Sequence, residues 1–261
     1  MSARANSLFA LLCLATLMHA VPGACGELAA ADRRSDYEFM SHDTQAMQDD
    51  DSSNPGMLWV NDGEALWARK VGEFSCMDCH GDAHASMKGV AARYPVFDAI
   101  RDRPMDLEER IMSCRIDHQN ATPFAYESKE LLALEAFIAR QSRGMPIETG
   151  SDTRLKPFIE AGRELFNRRQ GQLNISCAQC HDENWGKRLA GNAVPQGHPT
   201  GYPLYRLEWQ TLGSLQRRLR ACLFGVRAET YPFGAPENVA LELYLMVRAR
   251  GMAMDAPAVR P

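Results

Sequence analysis

Residues 76–80 read CMDCH, and residues 177–181 read CAQCH. Each stretch places two thiols about one helical turn apart, with a histidine directly after the second thiol. This spacing is the attachment signature of c-type haem, because the thiols can form thioethers with the porphyrin vinyl groups while the histidine reaches the iron. The sequence therefore predicts two covalently attached haems. One is bound by Cys76 and Cys79 with His80 as proximal ligand, and the other by Cys177 and Cys180 with His181.

Two other kinds of site share part of this pattern. A structural zinc site would need a second CxxC or a histidine pair for each motif. A redox-active dithiol would not need the histidine. Two complete motifs in one chain therefore favour haem over either alternative.

The sequence around the two motifs is also repeated. GEALWARKVGEFSCMDCH (63–80) resembles GRELFNRRQGQLNISCAQCH (162–181), and LEERIMSCR (107–115) resembles SLQRRLRAC (214–222). Further on, LLALEAFIARQSRGM (131–145) resembles ALELYLMVRARGM (240–252). These pairs keep their order and similar offsets, which indicates a tandem duplication of one haem-binding unit.

Each unit has the order of elements typical of a small helical cytochrome c. A helix (63 to about 71, and about 157 to 169) leads into each motif, and a second helix follows with apolar residues at helical spacing. No alternating strand pattern is present, so we predict an all-α fold of two tandem cytochrome c-like domains. The polar stretch PIETGSDTRLK (146–156) indicates the boundary. The predicted divisions are an N-terminal extension over 27–56, a first domain over 57–148 and a second, catalytic domain over 149–261.

The first residues have the pattern of a secretory signal peptide. The apolar run LFALLCLATLMHAV (8–21) follows Arg4 and ends in small residues, which predicts a signal over 1–26 with cleavage between 20 and 31. The run is too short for a membrane span, so we expect an exported, periplasmic protein without stable membrane insertion. The net charge of −4 argues against binding to nucleic acid.

Two further cysteines, Cys114 and Cys222, hold matching positions in the repeat. A disulfide between them is one interpretation. The duplication favours another, in which each thiolate binds the iron of its own unit and lowers its reduction potential. Met145 and Met252 also match each other and are alternative ligands. The remaining histidines that could serve, His84, His118 and His198, are not duplicated, and we interpret them as ordinary surface or core residues.

The chain resembles the SoxA family, the cytochrome subunits of bacterial thiosulfate oxidation, over nearly the whole sequence after the signal segment and most specifically in its C-terminal third. The resemblance is carried by RRLRAC (217–222) and ETYPFGAPENVALELYLMVRARGM (229–252), and the intact CMDCH resembles its dihaem members. It implies an L-cysteine S-thiosulfotransferase that joins thiosulfate to a cysteine of the carrier protein SoxYZ and passes two electrons through haem to the SoxX cytochrome, its partner in a heterodimer. The family's catalytic cysteine, an iron ligand that is also found as a persulfide, matches Cys222. Its substrate-binding arginine matches Arg218, and its first-haem ligands match His80 and Cys114.

The chemistry of these residues is consistent with such roles. In a helix over 214–224, Arg218 and Cys222 lie on one face, four residues apart. A guanidinium there favours the thiolate and can hold an anion in bidentate fashion. Arg217, Arg220 and Arg227 add to the positive field, although we interpret the first two as a solvated face or as partners of haem propionates. The alternative function is a dihaem electron carrier without sulfur transfer, and a third interpretation makes the first haem purely structural.

Overall fold

The computed structural model describes residues 28–261. Within this range the α-helices are α1 His42–Asp49, α2 Met57–Ala68, α3 Cys76–His80, α4 Ala83–Ser86, α5 Leu107–Asp117, α6 Lys129–Arg140, α7 Lys156–Asn167, α8 Cys177–His181, α9 Leu215–Gly225 and α10 Pro236–Arg248. The strands are β1 Val96–Asp98, β2 Arg103–Met105, β3 Arg188–Leu189, β4 Asn192–Ala193, β5 Leu204–Arg206, β6 Thr211–Gly213 and β7 Val259–Arg260. The predicted signal segment, 1–26, lies outside the described residues.

The long helices begin and end where their sequences indicate. The Ser128 side chain accepts a hydrogen bond from the Leu131 amide and so caps α6. Leu131, Leu134 and Phe137 then face the core at helical spacing. The predicted C-terminal helices of both units are therefore present as α6 and α10, and the helices predicted before each motif are present as α2 and α7.

Within each unit the first and last long helices cross at a glycine. A Cβ atom on Gly63 of α2 would lie 2.1 Å from the Ala133 carbonyl oxygen of α6. A Cβ atom on Gly162 of α7 would lie the same distance from the Ala240 carbonyl oxygen of α10. Only glycine permits the backbones to approach so closely. The identical contact in both units supports the duplication inferred from the sequence.

The fold is mostly helical, as predicted, but it also contains small sheets that the sequence did not indicate. β1 pairs with β2 and β3 pairs with β4, both antiparallel. β5 lies between antiparallel β6 and parallel β7. The strands are only two or three residues long, so no alternation of apolar and polar residues could develop along them.

The two units share one apolar core. Tyr205, Leu212 and Met246 of the second unit pack in the same cluster as residues of α2, α5 and α6. Polar contacts also cross between the units: the Gln216 amide donates to the Asp106 carboxylate at 2.7 Å. We infer that the units are held in a fixed relation.

The segment before α2 contacts both units, since Asp51 pairs with Arg140 and Arg143 of the first unit while other residues bond to the second. The Arg34 amide donates to the Gln196 side chain at 2.7 Å. The Gln48 side-chain oxygen on α1 accepts from the Val259 amide at 3.1 Å and from the Arg260 guanidinium. No helix within 28–261 is long and apolar enough to cross a membrane.

Candidate haem and catalytic sites

Both CxxCH motifs form a single helical turn that begins at the first cysteine. Ser75 and Ser176 cap these turns, and each is paired with the third residue of the turn, Asp78 or Gln179, in a capping box. The turn places the two thiols and the histidine of each motif close together, as attachment to one porphyrin requires.

The second motif has the orientation of an iron site. His181 Nδ1 lies 2.8 Å from the Pro195 carbonyl oxygen, which can only accept, so Nδ1 carries the proton and Nε2 keeps its lone pair for a metal. The Cys222 thiol lies within hydrogen-bonding reach of the same imidazole. His181 and Cys222 thus form a donor set, an imidazole and a thiol, that fits haem iron.

The first motif repeats this arrangement in a more open setting. His80 is exposed, and its ring centre lies 5.6 Å from that of Trp67. Phe166 takes the place of Trp67 in the second unit, 6.5 Å from His181. Burial raises the pKa of the Cys76 thiol, and the neighbouring Cys114 thiol raises it further. Cys114 therefore lies beside the first motif, where it could serve as the second iron ligand.

No disulfide joins the six cysteines within the described residues. Cys114 interacts electrostatically with Cys76 and Cys79, whereas Cys222 interacts with Cys177 and Cys180. The two spare thiols thus belong to different sites. This separation favours the interpretation of two thiolate ligands over a mutual crosslink.

The matched methionines have other surroundings. Met145 lies against Gly89, where a Cβ atom would come within 2.9 Å of its methyl group. Met252 packs against the shared apolar core. The carbonyls of both residues accept backbone hydrogen bonds, from Met254 and Ile147 respectively.

The unduplicated histidines lie in three different environments. The His84 ring bonds to the Gln141 side chain at 2.9 Å, and His118 is exposed. His198 is buried, and neither of its ring nitrogens has a hydrogen-bond partner among residues 28–261. Burial together with the Arg248 charge lowers its pKa to about 3. It is a neutral imidazole in the interior, as expected for a core residue.

Cys222 differs from Cys114 in its electrostatic environment. Burial alone would raise the pKa of the Cys222 thiol, but the hydrogen bond with His181 and the charges of Arg218 and Arg206 bring it down to about 7. The pKa of Cys114 is raised, chiefly by burial, against the opposing charge of Arg110. The second site is thus the more strongly positive of the two.

Arg218 and Cys222 lie on the same face of α9, as the sequence predicted. The side chains of Tyr202, Asp36 and Glu208 raise the pKa of the Arg218 guanidinium, against the effect of burial. Within residues 28–261, however, no carboxylate forms an ion pair with this guanidinium, because the nearest acids stay beyond 4 Å. Its donors are therefore available to an anionic ligand.

The neighbouring arginines on α9 have structural partners. Arg217 pairs with Glu127 at 3.6 Å and stacks on the Trp209 ring. Arg220 donates to the Tyr231 carbonyl and lies over the Phe233 ring. Arg227 adopts a φ of 56° at a turn, where its carbonyl accepts from the Gln172 amide. Arg217 and Arg220 are therefore not simply solvated, because each contacts a carboxylate or carbonyl and an aromatic ring.

Two residues near the second site were not predicted from the sequence. Asp36 reaches it from the N-terminal extension, where burial raises its pKa against the charges of Arg260 and His181. Arg206 reaches it from β5. Asp36 is distant from α9 in sequence, whereas Arg206 precedes α9 by nine residues on a strand that the sequence did not indicate. Both lie outside any motif, so only the folded chain brings them together with Cys222.

The chain was compared with known proteins. A family model described as SoxA/TsdA, cytochrome c domain, matches residues 62–147 and 161–254. The L-cysteine S-thiosulfotransferase subunit SoxA of Pseudaminobacter salicylatoxidans is 38% identical over 87% of this chain and 80% of the relative. The same subunit of Rhodovulum sulfidophilum is 36% identical over the same shares. The crystal structure of SoxXA from Paracoccus pantotrophus matches with a TM-score of 0.84 and 31% identity, over 88% of this chain and 87% of that one.

These matches agree with the helical fold and with the repeated unit. The chain belongs to the SoxA/TsdA family of cytochromes c, whose cofactor is haem c.

Proposed function

We propose that the chain is the cytochrome subunit of an L-cysteine S-thiosulfotransferase that couples thiosulfate to a cysteine of the carrier protein SoxYZ. Several relatives that are 30–38% identical carry this enzyme's name, and each match covers most of this chain. One geometric observation supports the assignment most directly. Cys222 faces the histidine of an attachment motif, and Arg218, which has no ion pair with any described residue, lies one helical turn before it.

The reaction joins two sulfur atoms. The outer sulfur of thiosulfate forms a bond with the sulfur of the carrier cysteine, while the cysteine loses its S–H bond. The products are a cysteine S-thiosulfonate, one proton and two electrons. Haem c, when bound, supplies the acceptor for these electrons, which pass on to the SoxX cytochrome.

Arg218 and Cys222 contact different ends of the substrate. The Arg218 guanidinium has a planar fork of donors that matches two sulfonate oxygens. Cys222 lies four residues further along α9, so the outer sulfur of a thiosulfate held in this way points toward the Cys222 thiol. Cys222 therefore orients the transferred sulfur, and it acts as an iron ligand, a covalent carrier of that sulfur, or both.

We propose two haems rather than one. Cys76 and Cys79 attach the first, with His80 and Cys114 as ligands, and Cys177 and Cys180 attach the second, with His181 and Cys222. The proposed domains are 57–148 and 149–261, after an extension over 27–56. The contacts at Gly63 and Gly162 support this division, because they recur at equivalent places in the two units.

We also propose that the chain works in the periplasm as a heterodimer with SoxX. The signal pattern at residues 8–21 supports export. The similarity to SoxXA supports the heterodimer, since that structure covers most of this chain.

Replacing Cys222 with methionine tests the proposal. In the haem-loaded complex with SoxX, Cys222→Met should retain both covalent haems by mass spectrometry and lose transfer of thiosulfate to SoxYZ. The matched control is Cys114→Met, which changes the equivalent residue of the first unit and should retain transfer. Normal turnover by Cys222→Met with full haem content would contradict the proposed function.

A further inference from the structure

The duplication allows the surroundings of Arg218 to be compared with those of its counterpart in the first unit. Arg110 precedes Arg218 by 108 residues, and Tyr94 precedes Tyr202 by the same interval. Both tyrosines are followed by a cis-proline, and both arginines lie one helical turn before the spare cysteine of their unit. The two settings therefore correspond residue by residue.

In the first unit the arginine is neutralised. Arg110 Nη2 lies 2.9 Å from Asp98 Oδ2 at the end of β1, and Asp98 is only 4% exposed. Tyr94 also hydrogen-bonds to Arg110. The guanidinium is thus already occupied by a buried carboxylate, which leaves no free positive charge for an anionic ligand.

In the second unit the carboxylate is replaced by a cation. The residue 108 positions after Asp98 is Arg206, at the end of β5. Its charge acts on the Cys222 thiol, as the charge of Arg218 does. Its only acidic partner within the described residues is Glu208, whose side chain is 66% exposed while that of Arg206 is 12% exposed. An ion pair with so exposed a carboxylate is weak and readily exchanged.

We propose that Arg206 is a second anion-binding residue, which together with Arg218 holds the sulfonate end of thiosulfate beside Cys222. This inference rests on the proposed function. By the duplication, Arg206 takes the place of the carboxylate that contacts Arg110, so two guanidinium groups act on Cys222 where the first unit has an ion pair. Like charges repel each other, and a dianion with three sulfonate oxygens offers acceptors to both. The exchange of Asp98 for Arg206 thereby explains why only the second unit would bind substrate.

The test is the binding of thiosulfate to the oxidised, haem-loaded complex with SoxX, measured by titration calorimetry, together with KM and kcat for transfer to SoxYZ. Arg206→Gln should weaken binding and raise KM by about tenfold or more, as expected for the loss of a charge-assisted hydrogen bond, with a smaller change in kcat. Arg206→Asp, which introduces the residue found in the first unit, should weaken binding and raise KM further. Arg206→Lys should recover part of the affinity.

Two control variants separate substrate binding from structural support. Arg217→Gln removes another positive charge that stacks on the same Trp209 ring, and it should bind thiosulfate within about twofold of the wild type. Glu208→Gln frees Arg206 from its exposed partner and should bind thiosulfate at least as tightly as the wild type. Haem absorption spectra should be unchanged in every variant.

The proposal is overturned if Arg206→Gln binds thiosulfate as tightly as the wild type, or if the wild type does not bind thiosulfate. Failure of the proposed function would appear differently. In that case the wild type would bind the anion in an Arg206-dependent manner but would not transfer it to the carrier.

Discussion

At the scale of single residues, the two haem units differ in the charges around otherwise matching positions. Arg110 is paired with a buried carboxylate, whereas Arg218 has no ion pair within the described chain and Arg206 stands nearby. The cysteine motifs, the spare thiols and the pairing of Arg218 with Cys222 on one helix face could be predicted, because each depends on spacing along a single element. Asp36 and Arg206 could not, because they reach the site from other parts of the chain.

Arg218 itself can be tested at this scale. In the complex with SoxX, Arg218→Gln should lower kcat/KM for thiosulfate by about 10- to 100-fold, because a charged hydrogen-bonding group is lost from the site. The kcat/KM of Arg218→Lys should lie between the values for this variant and the wild type, since lysine keeps the charge but lacks the planar fork of donors. Steady-state kinetics at fixed SoxYZ concentration measure both effects.

The control for this experiment is Arg163→Gln, which removes an exposed arginine that pairs with Glu160 on α7. Its kinetics should match those of the wild type. If Arg218→Gln also matched the wild type, Arg218 would not be a substrate-binding residue.

At the scale of elements, each unit depends on one close helix crossing. The long helices could be predicted because their apolar residues recur at helical spacing over three turns. The crossing itself could not, since a lone glycine within a helix indicates no particular partner. The two- and three-residue strands were missed because hydrogen bonds to distant segments, rather than any local pattern, create them.

The crossing makes a quantitative prediction about stability. Gly63→Ala or Gly162→Ala places a methyl group against a backbone carbonyl, so the helices must separate. We expect a loss of about 1–3 kcal/mol in the free energy of unfolding, as for other overpacked sites. In a protein of this size, the melting temperature should fall by roughly 2–4 °C for each kcal/mol lost.

Gly225→Ala is the matched control, since Gly225 ends α9 and a Cβ atom there would meet nothing within 4 Å. This variant should unfold at or slightly above the wild-type temperature, because alanine favours the helix. Unchanged melting of both crossing variants would show that the helices can adjust at no cost.

At the scale of the whole molecule, the two haem units contact each other at a group of buried carboxyl groups. Glu108 of α5 is 3% exposed, and one of its oxygens has no hydrogen-bond partner in the part of the chain that the structure describes. Burial raises its pKa, and the carboxyls of Glu135, Asp106, Glu242 and Glu127 raise it further. Gln216 takes the equivalent place in the second unit, where it bonds to Asp106 and to the Gly234 amide. The duplication could be predicted from the repeated sequence, but the clustering of these carboxyl groups could not.

This group makes stability depend on pH. Because the pKa of Glu108 is raised on folding, its stabilising effect is complete below the unfolded value of about 4.3 and is lost as the pH rises through the folded value. Glu108→Gln should therefore raise the melting temperature at pH 7 and leave it nearly unchanged close to pH 4. Thermal unfolding of the haem-loaded chain across this range measures the difference.

Glu64→Gln serves as the control, because Glu64 is exposed on α2 and should show no such pH dependence. A Glu108→Gln variant that melted below the wild type at pH 7 would show that the ionised carboxylate is stabilising, contrary to this prediction.

The position of the N-terminal extension constrains the order in which the chain can reach its final form. Gln48 bonds to Val259 and Arg260, more than 200 residues further along. During folding, these contacts of Gln48 therefore cannot form until the polypeptide near residue 260 is available. The ion pairs of Asp51 with Arg140 and Arg143 need only residues up to 143, whereas the covering of the second site by the extension also needs the end of the chain and so completes late in folding.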